Sequence, residues 1–246
     1  MTAPARRIFC ALDTTDAAAA ADLAARLGDT VGGVKLGLEF FTACGPTGYA
    51  RVAEAGLPIF LDLKLHDIPN TVAGAVRAVA PLAPKLLTVH VQGGPAMLRA
   101  AADAATQAAA DLGVARPKVI GVTVLTSLDA TDLARVGVAG PVVDQVRRLA
   151  ELAQASGLDG VVCSPVEIAA LRADRGDDFT LVVPGIRPAG AAAGDQKRVL
   201  TPAEAVAAGA DVLVIGRPIT QAADPAVAAS EIAASLDGTA SDGHAA

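Results

Sequence analysis

The feature that most constrains the fold is a regular alternation of two kinds of segment along the chain. Short runs rich in valine, isoleucine and leucine alternate with runs of good helix formers, and this unit repeats eight times between residues 8 and 236. Nearly continuous apolar strands, with proline at many helix starts, are typical of a parallel sheet covered by helices. Eight such units in 246 residues predict a closed (β/α)8 TIM barrel, an architecture that takes about 250 residues.

A doubly wound dinucleotide-binding sheet is the alternative arrangement of such units. It would place a GxGxxG sequence after the first strand, where residues 12–15 instead read LDTT. We predict a single domain over residues 1–236, because no linker or change of composition interrupts it. Residues 237–246 are small and polar, and they are predicted to form a disordered C-terminal tail.

Composition places the chain among globular cytoplasmic proteins. Hydrophobic residues make up 52% of it, but many are alanine, and no run approaches the roughly 18 strongly apolar residues of a membrane span. Asp13 interrupts the first apolar run too early for a signal peptide. Cys10, Cys44 and Cys163 are widely separated, which fits reduced thiols better than disulfides or zinc ligands. A net charge of −6 argues against nucleic-acid binding.

The third strand-like run carries charges where a buried strand should be apolar. Asp62, Lys64 and Asp67 fall within six residues of one another. In a regular strand, Asp62 and Lys64 would point to the same face, about 7 Å apart along the chain. The leucines on either side of Asp62 would point to the opposite, apolar face. Charges inside a parallel sheet are costly unless they are paired or used, so the residues leave open a structural ion pair and a catalytic site.

Polar side chains also follow most of the other strands, at the end where the active sites of such barrels lie. These candidates are Asp13, Lys35, His90, Gln92, Thr123, Thr126, Ser127, Arg187, Gln196 and Arg217. The opposite ends of the strands have far fewer polar and charged side chains, and this asymmetry favours an enzyme. Gly216 and Arg217 follow the eighth strand, where many barrels bind phosphate, and Arg187 follows the seventh. A surface salt bridge is the alternative for these arginines.

One long motif and six shorter ones follow one another along the chain in a definite order. Residues 62–71 read DLKLHDIPNT. The shorter motifs are ALD at 11–13, VKLG at 34–37, VTVLTS at 122–127, PGIRP at 184–188, GDQ at 194–196 and VIGRP at 214–218. Together they resemble the orotidine 5'-phosphate decarboxylase family over residues 8 to 235. The resemblance implies decarboxylation of orotidine 5'-monophosphate to UMP and CO2, the last step of de novo UMP synthesis, without a metal or an organic cofactor.

The resemblance also implies roles for the residues of the long motif. Lys64 would stabilise negative charge at C6 of the pyrimidine and then protonate it. Asp62 would hold Lys64 in place and lie near the departing carboxylate. Asp67 would complete an Asp-Lys-Asp arrangement with Lys35. Asp67 and Thr71 would be contributed across the interface of a homodimer to the neighbouring site.

The other motifs would bind the substrate. The implied contacts are Asp13 and Lys35 with the ribose hydroxyls, Thr126 and Ser127 with the pyrimidine, and Gln196, Gly216 and Arg217 with the phosphate, beside Arg187. The loop from Gly185 to Arg198 is expected to close over the site as a lid. Small-molecule substrate and a second copy of the chain are therefore the expected partners, without nucleic acid or membrane.

Two other functions remain as alternatives. A Mg2+-dependent sugar-phosphate decarboxylase or aldolase, such as 3-keto-L-gulonate 6-phosphate decarboxylase, shares a DxKxxD sequence, but Lys35 and the HDIPNT segment argue against it. A non-catalytic nucleotide-binding barrel would bind UMP without turnover. Thr126 and Ser127 could also cap a short helix near Asp129, and His90 is expected to pack rather than catalyse.

Overall fold

The computed structural model describes residues 1–187 and 200–236, and within them eight parallel strands close into a barrel. The strands are β1 (Ile8–Ala11), β2 (Gly33–Gly37), β3 (Ile59–Leu65), β4 (Leu86–His90), β5 (Lys118–Val122), β6 (Gly160–Val162), β7 (Thr180–Pro184) and β8 (Val212–Ile215). Each strand pairs with the next along the chain, and β1 pairs with β8 to close the ring. The predicted (β/α)8 barrel is therefore confirmed.

Helices surround the barrel and connect its strands. They are α1 (Ala17–Leu27), α2 (Leu38–Ala53), α3 (Pro69–Val79), α4 (Gly94–Leu112), α5 (Ala130–Arg135), α6 (Val142–Ala155), α7 (Ile168–Arg175), α8 (Pro202–Ala207), α9 (Arg217–Thr220) and α10 (Pro225–Ser235). Short 3-10 turns lie at Ala5–Arg7, Gly28–Thr30, Ala80–Leu82, Val91–Gly93 and Pro165–Glu167. The Asp16 side chain accepts two backbone N–H groups at the start of α1 and so fixes where that helix begins.

Alternation along the strands divides their side chains into two apolar layers. Outward positions, among them Leu61 and Leu87, pack against the helices in the larger layer. Inward positions form a smaller cluster inside the barrel. Its buried members are Phe9, Ala11, Phe60, Leu86, Ile120, Val182 and Val214. On β3 the next inward position after Phe60 is Asp62, so the charged residues lie directly above an apolar interior.

Two helices differ from those that the sequence pattern predicts. The pattern starts the second helix at Pro46, whereas α2 already begins at Leu38 and is kinked at Gly45, where φ is 58°. The pattern also gives one helix over residues 219–236, whereas the chain forms α9 and then α10. The break arises because Asp224 caps a new helix and accepts two of its backbone N–H groups.

Residues 188–199 and 237–246 lie outside the described part of the chain. Gln196, most of the predicted lid and the predicted disordered tail fall within these two segments. The role of Gln196, the lid and the disorder of the tail therefore stay predictions. Within the described residues, none of the helices is long and apolar enough to cross a membrane.

Gly160 provides a test of how closely the strands of the barrel pack. A methyl group added at this position of β6 would overlap the backbone oxygen of Thr180 on β7. Because a backbone atom of a neighbouring strand cannot easily move aside, we expect Gly160→Ala to lower the free energy of unfolding by about 1–3 kcal/mol. Urea denaturation followed by circular dichroism measures this change.

Gly74→Ala in α3 is the matched control for that substitution. The added methyl would meet only the end of the Arg77 side chain, at 4.0 Å, among the described residues. Since alanine favours the helix more than glycine does, the free energy of unfolding should rise by about 0.5–1 kcal/mol. Equal changes of the same sign in the free energy of unfolding of both variants would contradict the close packing of β6 against β7.

Candidate active site

A cavity of about 770 Å³ opens at the C-terminal ends of the strands. It is lined by eight of the residues predicted from the sequence: Asp13, Lys35, Asp62, Lys64, Thr126, Arg187, Gly216 and Arg217. Three others, Asp67, Thr71 and Ser127, are exposed and do not line the cavity of the described chain. Gln196 lies outside the described residues. The barrel therefore brings together most of the predicted residues from distant parts of the sequence.

Four charged side chains alternate in sign along the β1–β3 side of the cavity. Lys35 Nζ lies 3.1 Å from Asp13 Oδ1 and 3.9 Å from Asp62 Oδ2. Lys64 Nζ lies 2.7 Å from the same Asp62 oxygen. The Asp13 side chain is 59% exposed, whereas those of Lys35 and Asp62 are each 12% exposed. Two ammonium groups therefore offset the cost of removing the Asp62 carboxylate from water.

The contact between Asp62 and Lys64 depends on a distortion of β3. The β3–β4 register shifts between Leu61 and Leu65, so that the three intervening residues of β3 face only Thr88 of β4. Lys64 adopts a left-handed backbone conformation with φ of 51°. The predicted strand and the contact between Asp62 and Lys64 are therefore both present, but the strand has a bulge that the sequence pattern did not predict. The bulge directs the Lys64 side chain so that its ammonium meets the Asp62 carboxylate.

Thr88 links the two residues of this ion pair, and sequence reasoning missed it. Its hydroxyl accepts a hydrogen bond from the Lys64 backbone N–H and donates one to Asp62 Oδ1, both at 2.9 Å. The side chain is fully buried. The signal that could have found it is strand alternation, because Thr88 lies two residues before His90 and shares its inward face.

Two glycines keep the wall of the cavity open. A methyl group added to Gly37 would lie only 2.9 Å from Lys35 Nζ and 3.8 Å from Asp13 Oδ1. A methyl group added to Gly216 would meet Ala11 at 3.5 Å and no other side chain of the described residues. Gly37 thus leaves room for the Lys35 ammonium, and Gly216 exposes its backbone to the cavity.

The arginines that were predicted to bind phosphate line the same cavity. Arg217 follows Gly216 at the start of α9, and Arg187 follows β7. The Arg187 backbone N–H donates to the Leu200 oxygen at 3.1 Å, and Ile186 forms a parallel bridge with Leu200. The first residues of the predicted lid are therefore joined to Leu200, just after its end.

An apolar floor completes the cavity, and the sequence-based prediction assigned it no role. It consists of side chains from the barrel interior: Phe60, Val122, Val162, Val182 and Val214. Such a floor accommodates the uncharged face of a planar ligand, while the polar residues of the wall fix the orientation of the ligand. The inward positions of β3, β5, β6, β7 and β8 are the signal that could have identified it.

The structure does not bring Asp67 to Lys35 within one chain. Asp67 Oδ1 accepts a hydrogen bond from the Ile68 backbone N–H at 2.6 Å. Asp67 and Thr71 are both exposed, and Ile68 between them is 66% exposed. Asp13 is instead the nearer carboxylate to Lys35. The predicted roles of Asp67 and Thr71 therefore require a second subunit.

The short helix α5 is capped by Asp129 rather than by the threonine and serine before it. Asp129 Oδ1 accepts hydrogen bonds from the backbone N–H groups of Thr131 and Asp132, and the Asp132 side chain accepts from the Asp129 N–H. The capping alternative for Thr126 and Ser127 is therefore wrong. Thr126 lines the cavity, whereas Ser127 is exposed outside it.

Burial changes the acid–base behaviour of two side chains near the charged residues. The pKa of His90 is lowered mainly because burial penalises its charged form, and repulsion from His66 and Lys64 adds to this effect while Asp62 opposes it. The rings of His66 and His90 lie 5.4 Å apart. Burial raises the pKa of the Cys10 thiol to about 12, so this thiol stays protonated in the core.

The lowered pKa of His90 predicts a loss of stability in acid. The unfolded chain takes up a proton at this residue near pH 6.5, whereas the folded chain does so only at lower pH. The stabilisation is therefore complete above pH 6.5 and is lost as the pH falls from that value toward the folded pKa. Urea denaturation at about pH 7.5 and 5 should show a smaller loss for His90→Asn than for the wild type. Equal losses of stability in the two proteins would contradict a neutral, half-buried His90.

Known proteins match almost the whole chain. A model of the orotidine 5'-phosphate decarboxylase / HUMPS family matches residues 6–232. The chain is 62% identical over 229 residues to orotidine 5'-phosphate decarboxylase of Paramagnetospirillum magneticum, covering 93% of this chain and 97% of that one. It is 63% identical over 232 residues to the Rhodospirillum rubrum protein of the same name, covering 94% of each.

A solved structure shows the same relationship. The crystal structure of orotidine 5'-phosphate decarboxylase from Lactobacillus acidophilus superposes with a TM-score of 0.83 and 39% sequence identity. The match covers 94% of this chain and 99% of that chain. From its sequence and its fold, the chain belongs to the orotidine 5'-phosphate decarboxylase / HUMPS family.

Proposed function

We propose that this chain decarboxylates orotidine 5'-monophosphate to UMP and CO2, the last step of de novo UMP synthesis. The observation that carries the proposal is the Lys64 ammonium, 2.7 Å from Asp62 Oδ2, in a cavity that arginines also line. The relatives with 62% and 63% identity, both named orotidine 5'-phosphate decarboxylase, support the same reaction.

The chemical difficulty of this reaction is the carbanion that it forms. Loss of CO2 breaks the bond between C6 and the carboxylate carbon and leaves the electron pair on C6, where the pyrimidine offers no conventional electron sink. A fixed positive charge beside C6 lowers the energy of that carbanion, because preorganised charge acts strongly where little water is present. Lys64, with its side chain 28% exposed and held by Asp62, supplies this charge.

Lys64 also supplies the proton that replaces CO2. Its ammonium transfers one proton to C6, which gives UMP and a neutral amine, and the amine then takes a proton from water. We place the carboxylate of the substrate near Asp62, so that repulsion between the two negative groups is relieved when CO2 leaves. Asp62 therefore serves both to hold Lys64 and to favour departure of CO2.

The wall and floor of the cavity suit the nucleoside part of the substrate. Asp13 and Lys35, 3.1 Å apart, offer an acceptor and a donor to the ribose hydroxyls. We assign Thr126, with Ser127 beside it, to the polar edge of the pyrimidine. The apolar floor that includes Phe60 would lie against its ring.

Phosphate binding anchors the substrate away from the reacting carbon. We assign this role to Gly216, Arg217, Arg187 and Gln196. The guanidinium groups offer forked donors that match phosphate oxygens, and the Gly216 backbone is open to the cavity. Closure of the loop from Gly185 to Arg198 over the phosphate would let remote binding energy assist the chemistry at C6.

The proposal includes a homodimer in which Asp67 and Thr71 act in the neighbouring site. Both residues are exposed and lie outside their own cavity, and Ile68 between them exposes a large apolar side chain. An apolar surface beside polar residues suits a subunit contact. Asp67 of one subunit would then complete the Asp-Lys-Asp arrangement at Lys35 of the other.

The Mg2+-dependent sugar-phosphate decarboxylase is not favoured. The family name joins two groups of proteins, but the relatives described above carry the name orotidine 5'-phosphate decarboxylase. Asp13 and Asp62 each pair with a lysine, and no cluster of three His, Cys, Asp or Glu side chains within residues 1–187 and 200–236 could hold a metal. We propose that the reaction uses neither a metal nor an organic cofactor, with the Lys64 ammonium as the cation beside C6.

A cytoplasmic location completes the proposal. The buried Cys10 and Cys163 are free thiols, and reduced thiols are typical of cytoplasmic proteins. The substrate is a small molecule, and the proposal includes neither nucleic acid nor a membrane as a partner.

Turnover of orotidine 5'-monophosphate tests the proposed reaction and the role of Lys64. Ultraviolet absorbance should show loss of the substrate with the wild type, while Lys64→Ala should lower kcat by at least about 1000-fold because both charge and proton are lost. Lys85→Ala is the matched control, since this exposed lysine does not line the cavity. An inactive wild type, or near-normal turnover by Lys64→Ala, would overturn the assignment.

Chelation separates the proposed reaction from the metal-dependent alternative. Incubation with EDTA should leave the rate of orotidine 5'-monophosphate loss unchanged, because the positive charge beside C6 comes from Lys64. A loss of decarboxylation that Mg2+ restores would instead show a metal requirement, as in the sugar-phosphate alternative.

Mixing two inactive variants tests the shared sites. In a hybrid dimer of Lys64→Ala and Asp67→Ala chains, one of the two sites has both wild-type residues, so random mixing should restore about a quarter of wild-type activity. Lys64→Ala mixed with Asp62→Ala is the matched control and should show no recovery, since both residues act in their own barrel. Failure of the first mixture, with subunit exchange shown by mass-labelled chains, would mean that each site is self-contained.

A further inference from the structure

We infer that Thr88 is a positioning residue for the proposed decarboxylation, acting through Asp62 and Lys64 rather than on the substrate. The inference rests on the proposed function of this site. Thr88 lies in the middle of β4, is fully buried and does not line the cavity formed by the described residues. Its influence on the chemistry therefore passes through the groups that it contacts.

The first of these groups is the Lys64 backbone. At the bulge, residues 62–64 of β3 lie opposite a single residue of β4, Thr88. The regular ladder of hydrogen bonds between the two strands is therefore interrupted there. Lys64 has φ of 51°, a conformation that residues other than glycine avoid unless their surroundings hold it. The Thr88 hydroxyl accepts the Lys64 N–H at 2.9 Å and so holds this conformation by a side-chain contact.

The second group is the Asp62 carboxylate. The Thr88 hydroxyl donates to Oδ1 at 2.9 Å, while Oδ2 lies 2.7 Å from Lys64 Nζ. A hydroxyl has one proton and can also accept, so these two contacts match its hydrogen-bonding capacity. Because Thr88 holds one oxygen and Lys64 holds the other, rotation of the carboxylate would break both contacts.

Both residues of the proposed catalytic ion pair therefore form hydrogen bonds with one buried hydroxyl, Lys64 through its backbone N–H and Asp62 through its carboxylate. Its removal would leave the Lys64 N–H and Asp62 Oδ1 without that partner inside the barrel, and the bulge would rearrange to recover hydrogen bonds. The ammonium would then no longer be fixed beside C6. Contacts to the ribose and phosphate would remain, since Asp13 follows β1 and Arg217 follows β8, and neither of these strands pairs with β4.

The test compares Thr88→Val, which keeps the shape of the side chain, with Thr88→Ser, which keeps the hydroxyl. A displacement of about 1 Å at a reacting group can lower a rate about 100-fold, and we expect this loss of kcat in Thr88→Val. KM and the affinity for UMP should change less than about threefold, because remote binding contacts remain. Thr88→Ser should keep kcat within about fivefold of the wild type, because it keeps both hydrogen bonds.

Thr180→Val is the matched control. Thr180 is also buried, and its hydroxyl accepts a hydrogen bond from Lys118 Nζ at 3.0 Å, but it starts β7 at the opposite end of the barrel. This variant should lose stability without losing kcat. If Thr88→Val keeps wild-type kcat, or if its kcat and KM change no more than those of Thr180→Val, the inference is overturned.

Thr88→Ser and Thr88→Cys form a second pair that tests the inference if the valine variant does not fold. Their side chains are similar in size, but a thiol is a weak donor and acceptor. Serine should support a kcat at least about tenfold higher than cysteine does. Equal kcat values in these two variants would count against the positioning role.

A crystal structure of Thr88→Val, or of Thr88→Cys in its place, separates this inference from the proposed function. If the wild type does not decarboxylate orotidine 5'-monophosphate, the proposed function fails. The positioning role still predicts that the distance between Lys64 Nζ and Asp62 Oδ2, 2.7 Å in the wild type, exceeds hydrogen-bond length in the variant. An unchanged ion pair would overturn the positioning role whatever reaction the site catalyses.

Discussion

The site depends on one buried carboxylate, Asp62, which lies between two lysine ammonium groups inside the barrel. Desolvation of such a group is costly, and Lys64 at 2.7 Å, Lys35 at 3.9 Å and the Thr88 hydroxyl at 2.9 Å offset that cost. The catalytic consequence is that the Lys64 ammonium is already oriented before a substrate binds. A preorganised charge needs no rearrangement while the carbanion forms, and this is how the geometry accounts for the proposed chemistry.

The barrel makes this arrangement possible because its strands supply two kinds of inward position. The lower positions, such as Phe60 and Ile120, fill the interior with apolar side chains and keep water away from the charges above them. The last inward positions and the loops that follow bring polar residues to one rim. Arg217 follows β8 and Arg187 follows β7, whereas Lys64 belongs to β3, so the proposed phosphate site and the reacting carbon would lie in separate parts of one cavity.

Sequence patterns predicted the barrel and most of the cavity wall, because strand alternation and the motifs at strand ends are local signals. They did not predict the bulge at Lys64, whose backbone conformation depends on pairing with β4. Thr88 was missed for the same reason, since its two partners are 24 and 26 residues away in the chain. The early start of α2 was missed because the kink at Gly45 resembles a helix boundary.

Lys64 is proposed to protonate a carbanion at C6, and the most direct test of this role uses the product. Proton transfer is reversible, so the neutral amine of Lys64 should take the C6 proton of bound UMP, and the ammonium should return one exchanged with solvent. In D2O, proton NMR should show loss of the C6–H signal of UMP with the wild type, but not with Lys64→Ala under conditions where that variant still binds UMP. Absence of exchange with the wild type, or exchange at the same rate with the variant, would contradict the claim.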